Sequence, residues 1–209
     1  MIRAARLGFG VLAVFALLWI PLRNLDNAAF SVANFFSYFT IESNVLGAVV
    51  LLVGALADPP GRRWQLVRGA VTLYLLITCV VYAVLLANID VMLTDKWIND
   101  VLHRLIPLVL LADWILAPPR VRITDRQTLA WLAFPALYAV YSLIRGPIAD
   151  WYAYPFLDPR GQGYLSLFLG LIVLSVVMAL LALAVGALGR LAARWRYGSP
   201  AEDNLAPSR

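Results

Sequence analysis

The sequence predicts an all-α fold, an integral membrane six-helix bundle with both termini cytoplasmic. Three observations lead there. Of 209 residues, 62% are hydrophobic and 14% charged, with a mean hydropathy of +0.80, which is too apolar for a soluble domain of that size. Five apolar runs of roughly 17 to 25 residues match a helix crossing a hydrocarbon core of about 30 Å, and a sixth comes close. None of the runs alternates at period 2, as the strands of a β-barrel would.

The first run, near 5–22, has Arg3 and Arg6 ahead of an apolar core ending at Trp19. That layout suits a signal peptide. Pro21, Arg23 and Asn24 follow instead of a small-x-small cleavage site, so a retained helix is expected. The second run, near 36–57, opens with FFSYFTIESNVL, in which Thr40, Glu42, Ser43 and Asn44 interrupt an apolar segment. The third, near 67–89, holds the single cysteine, Cys79. Neither a disulfide framework nor a cysteine-based metal site is therefore available, and a buried, inert thiol is expected. The fourth, fifth and sixth runs lie near 97–117, 128–145 and 164–188. Together they form one transmembrane domain over 1–196. The polar, Pro- and Gly-containing residues 197–209 are expected to be a disordered cytoplasmic tail.

The connections alternate in character. DPPGRRWQ and PPRVRITDRQ are short and basic, and each carries a proline pair that ends the preceding helix. RNLDNAAFSVAN, NIDVMLTDKWIND and RGPIADWYAYPFLDPRGQG are longer and more acidic or aromatic. The density of aromatics, Pro and Gly in the last suggests an ordered cap, although any one of Trp97, Trp151, Tyr152, Tyr154 and Tyr164 also suits an interfacial aromatic belt. With the N-terminus inside, only Arg23, Lys96, Arg104, Arg145 and Arg160 fall toward the outside, leaving 12 of the 17 basic residues inside. The net charge of +5 then reflects topology and anionic lipid at the inner leaflet. The membrane is the expected partner, and nucleic acid is not.

Polar residues in membrane helices are costly, by roughly 2.5 to 3.5 kcal/mol for a central charge, so they are the first functional candidates. Sorted by depth, nearly all of them gather near the outer face: Thr40, Glu42, Ser43 and Asn44 on the second run, Asn88 and Asp90 after the third, Asp100, His103 and Arg104 on the fourth, and Tyr138, Tyr141, Ser142 and Arg145 on the fifth. Such a layer requires a cavity, because unpaired polar groups do not face lipid. Asp113 lies deeper and is expected to pair with an inner-face Arg or to make a polar contact beside Trp114.

His103 is the only histidine. With no cysteine partners a zinc site is not expected, although carboxylates could supply ligands, and no cofactor is implied. A neutral imidazole suits general-base work, and a threonine hydroxyl needs such a base to act as a nucleophile. Thr40 and His103 lie at similar depth on different helices. Asn44, four residues after Thr40, could donate to an oxyanion or orient the threonine. Asp100, three before His103, could hold the imidazole tautomer. Pro107 bends the helix next to His103. Against these roles stand plainer ones: an intramembrane Thr usually bonds its own helix backbone, and Glu42 with Arg104 could form an ion pair without chemistry.

The six runs, the YFT-x-x-S-N start of the second and LHRLIPLVLLADWIL on the fourth resemble bacterial six-transmembrane proteins distantly related to the androgen-induced protein family, as does WYAYPFLDP. The eukaryotic members of that family are membrane threonine hydrolases that cleave fatty acid esters of hydroxy fatty acids. The resemblance implies a catalytic threonine at Thr40 and a catalytic histidine at His103, with a lipid or fatty-acyl ester as substrate. The stretch after His103 departs from the eukaryotic pattern, being Arg104 followed by an apolar run. Two functions follow as expectations: a lipid-ester hydrolase of the cell membrane, or a non-enzymatic lipid-binding, transport or accessory membrane protein.

Overall fold

A computed structural model describes residues 1–86 and 95–198. Among the described residues all regular structure is helical. Asn88, Asp90 and the tail from residue 199 onward lie outside them.

Helix α1 spans Ile2–Arg23. The second apolar run divides into two helices. The four-residue α2, Val32–Phe35, is capped by the Ser31 hydroxyl, which accepts the Asn34 N–H. The Ser37 hydroxyl donates to the Ala33 carbonyl at 2.6 Å, and Tyr38 turns to an extended conformation as the N-cap of α3, Phe39–Leu56. Thr40 therefore lies in the first turn of its helix, closer to the helix end than a start at residue 36 implies.

Helix α4, Arg62–Val81, continues into a π-helical turn over Tyr82–Leu86, and Cys79 on it is free and half-buried. The fourth run is helical from end to end, as α5 (Lys96–Asp100), a second π turn (Val101–Leu105) and α6 (Ile106–Leu116). In that π turn the Ile106 N–H reaches the Val101 carbonyl. Pro107 follows in the first turn of α6 and has no N–H to return to His103, so the chain widens where one donor is missing.

The fifth run also divides, into α7 (Asp125–Ala130), opened by a Thr124–Gln127 capping box, and α8 (Ala133–Ala149). Pro135 cannot satisfy the Trp131 carbonyl, which instead accepts the Tyr74 hydroxyl at 3.0 Å. Helix α9 runs from Pro159 to Tyr197, past the expected end at residue 188, and Gly163 (φ 79°) kinks its first turn.

Among the described residues, five stretches are long and apolar enough to cross a membrane: Ile2–Arg23, Phe39–Leu56, Arg62–Leu86, Asp125–Ala149 and Pro159–Tyr197. The helical stretch over residues 96–116, outside those five, carries Lys96, Asp100, Arg104 and Asp113.

Helix α1 packs along α3, and α4 touches α3, α6 and α9. Charges tie one end of the bundle together. Arg6 donates to Asp113 at 2.6 Å and to Asp58 at 2.9 Å, and Arg68 donates to Asp113 at 2.7 Å. Asp113 thus has two arginine partners, one from α1 and one from α4. Beside it the fully buried Trp114 donates to the Val185 carbonyl at 3.0 Å, wedged between Gly69 and Gly189, where a Cβ would strike its ring. The polar residues around Thr40 occupy the opposite end.

Candidate active site

Three elements bring three side chains together. Helix α3 presents Thr40, the π turn presents His103, and the segment between α8 and α9 lowers Tyr154 onto Thr40. The Thr40 hydroxyl lies 3.3 Å from His103 Nε2 and 3.2 Å from the Tyr154 hydroxyl, while the Thr40 N–H donates to Tyr154 Oη at 3.2 Å. All three residues are buried.

The chemistry of the partners sets the proton positions. His103 Nδ1 lies 3.1 Å from the Asn99 carbonyl, and a carbonyl can only accept, so Nδ1 carries the hydrogen. Nε2 then offers its lone pair to the Thr40 O–H, which is the polarity a general base requires. Tyr154 completes the chain by donating to Thr40 Oγ1. The ring is also clamped from the side: Tyr82 stacks on it with centroids 4.3 Å apart, the Asn99 amide donates to the Tyr82 hydroxyl, and the Arg104 guanidinium lies over the Tyr82 ring at 5.7 Å.

Thr40 differs from other buried threonines of the bundle. Thr72 donates to Arg68 O at 2.9 Å and Thr78 to Tyr74 O at 3.2 Å, each back to its own helix, as threonines in apolar helices usually do. At the second position of α3 there is no preceding turn to bond, so the Thr40 hydroxyl turns to His103 and Tyr154. The same position places it at the positive end of an 18-residue helix, which favours negative charge developing on an attacking or departing oxygen.

Several expected helpers take other roles. Asp100 does not hold the imidazole. It pairs with Arg104 at 2.6 Å on the exposed face, because the ring reaches back along its own helix to the carbonyl of Asn99. Arg104 is therefore not the partner of Glu42, which is half-buried and meets no cation within ion-pair distance among the described residues. Of the two roles expected of Asn44, its amide is not free for an oxyanion but does bond Thr40, donating to Thr40 O at 2.8 Å and to Leu102 O at 3.0 Å and so fastening the two helices together. Ser43 is fully buried with its hydroxyl unpartnered. Ser37 and Asn34, at the entrance to α3, are held by α8 through Tyr138, Tyr141 and Arg145.

Tyr154 is the residue that sequence reasoning missed. Its signal was WYAYPFLDP, which folds as an ordered cap: Arg160 brackets Asp150 and Asp158, its guanidinium lies 5.0 Å over the Tyr152 ring, and the Gln162 amide donates to Phe156 O and Asp158 O. Burial pushes the Tyr154 phenol up to about 12, so it is a neutral donor at physiological pH. Tyr164, by contrast, is 79% exposed, as a belt residue is.

A narrow apolar cleft with about 50 Å³ of free space reaches Thr40 and Tyr154 between Phe39, Ile77, Val81 and Phe156. Among the described residues no group of three His, Cys, Asp or Glu side chains could hold a metal. No protein family, curated protein or solved structure matches the chain.

Proposed function

We propose that the protein is a membrane-embedded hydrolase of fatty-acyl esters, with Thr40 as nucleophile and His103 as general base. The observation that carries this reading is the Thr40 hydroxyl, which bonds a correctly polarised imidazole instead of its own helix. In the reaction, Thr40 Oγ1 attacks the ester carbonyl as its proton passes to His103 Nε2. The tetrahedral oxyanion is stabilised by the Tyr154 O–H, freed from Thr40 as the new bond forms, and by the first turn of α3. Collapse expels the alcohol, which takes the proton from His103, and leaves an acyl-threonine. His103 then deprotonates water, which attacks the acyl group and releases the fatty acid and the free Thr40. The same reading puts the site at the outer leaflet of the cell membrane and both termini in the cytoplasm, in line with the distribution of basic residues.

A fluorophosphonate probe tests it. The wild type is expected to label at Thr40, and Thr40→Ala and His103→Ala to lose labelling while expressing normally. Labelling that survives Thr40→Ala rules out Thr40 as the nucleophile. A non-enzymatic lipid-binding protein, the rival reading, would bind lipid without labelling.

A further inference from the structure

A second apolar space lies on the lipid-facing side of α4 and α9. It is a groove of about 430 Å³ walled by Val84 and Leu85 from the π turn and by Gly170, Val173 and Val177 from α9. Val81, Phe156, Leu171 and Leu174 line both this groove and the cleft that reaches Thr40. The two spaces are therefore adjacent, with those four side chains between the outer groove and the cleft at Thr40.

The geometry points to the groove and the cleft together as the binding site for the acyl chain of the ester, which enters sideways between α4 and α9 and displaces the side chains that separate them. The assignment rests on the hydrolase reading of Thr40, and three features specify the occupant. The walls are aliphatic along α9 from Leu169 to Val177, eight helical steps or roughly 12 Å. The one polar lining side chain, Gln162, uses its amide donors on the carbonyls of Phe156 and Asp158, so an alkyl chain fits and a headgroup does not. Gly170 lines the groove, and a Cβ built there would meet nothing within 4 Å, so this part of α9 leaves open space where a side chain would otherwise stand. The neck beside Thr40 is narrow, with room for a few water-sized groups. A single unbranched chain fits that neck, and the ester carbonyl comes to rest at Thr40 Oγ1. Chain length is read in the groove and chemistry at the neck.

Gly170 provides the test, because it lines the groove and a Cβ there meets nothing within 4 Å. Purified wild type, Gly170→Phe and Gly170→Ala are compared on p-nitrophenyl acetate and p-nitrophenyl palmitate. Gly170→Phe is expected to lower kcat/KM for the palmitate by about tenfold or more, with the acetate rate and fluorophosphonate labelling unchanged; Gly170→Ala should lie between. Equal palmitate rates in wild type and Gly170→Phe, or a parallel loss on both esters, overturn the proposal. Photocrosslinking with a diazirine-bearing palmitoyl ester on the Thr40→Ala protein separates this proposal from the hydrolase reading, since it needs no turnover. Crosslinks at Val81, Leu171 and Leu174 that vanish in Thr40→Ala/Gly170→Phe support the groove even where no esterase activity is found. Crosslinks spread evenly over the lipid-facing helices mean ordinary surrounding lipid and overturn it.

Discussion

At the scale of single residues, the site depends on which hydrogen bond each polar atom makes. Thr40 and Thr78 are both buried threonines on apolar helices, and only the partner of the hydroxyl separates them. Tyr154→Phe removes the proposed oxyanion donor and keeps the ring, so kcat is expected to fall about 10²-fold with KM little changed and the protein still labelled slowly at Thr40. An unchanged kcat would show that the phenol is structural. Burial disfavours the phenolate, so the hydroxyl stays protonated until the pH approaches about 12. The kcat profile of the wild type should therefore have no basic limb between neutrality and pH 10 that disappears in Tyr154→Phe. A limb in that range abolished by the substitution contradicts the environment assigned to Tyr154.

Among the helical elements, the π turn at Val101–Leu105 is the one that aims the base. It widens the helix just before Pro107 and turns His103 toward α3, with Nδ1 tied to Asn99. Pro107→Ala restores the missing N–H and favours regular α winding. The ring should move away from Thr40, and a displacement of order 1 Å lowers kcat by about 10²-fold while helicity and expression persist. Steady-state kinetics together with circular dichroism check this; full activity in Pro107→Ala would separate the proline from the geometry of the base. The second apolar run teaches a related lesson. Its apolar content was legible as a membrane helix, but the break at Ser37 and Tyr38 was not, because it depends on one side-chain bond to Ala33.

For the molecule as a whole, the charges at the other end of the bundle carry a stability role. Arg6 and Arg68 are buried and share Asp113. Asp113→Ala leaves two guanidinium groups without their shared carboxylate, which destabilises by about 3 to 5 kcal/mol. Arg104→Ala breaks an exposed pair and costs less than about 1 kcal/mol. Thermal unfolding in detergent should rank the two variants accordingly, and a similar loss in both would contradict the structural role of the Asp113 cluster. Both clusters bind helices together, but only the Thr40 end sets a hydroxyl against an imidazole beside an apolar cleft.

By itself the sequence determined the helical, membrane-type architecture, since apolar runs of membrane length need nothing beyond their own composition to be recognised. It also gave a polar outer layer that includes Thr40 and His103, because polar residues in such runs are costly enough to stand out, and the resemblance singled out those two within it. It did not determine which neighbours serve them. Asp100 and Asn44 have suitable spacing along their own helices, but hydrogen bonds form between atoms that packing brings together, and packing gave the imidazole to Asn99, the Asn44 amide to Leu102, and the Thr40 hydroxyl to Tyr154 from a loop more than a hundred residues away. Local spacing is written in the chain, whereas contact across helices is decided only when the bundle closes.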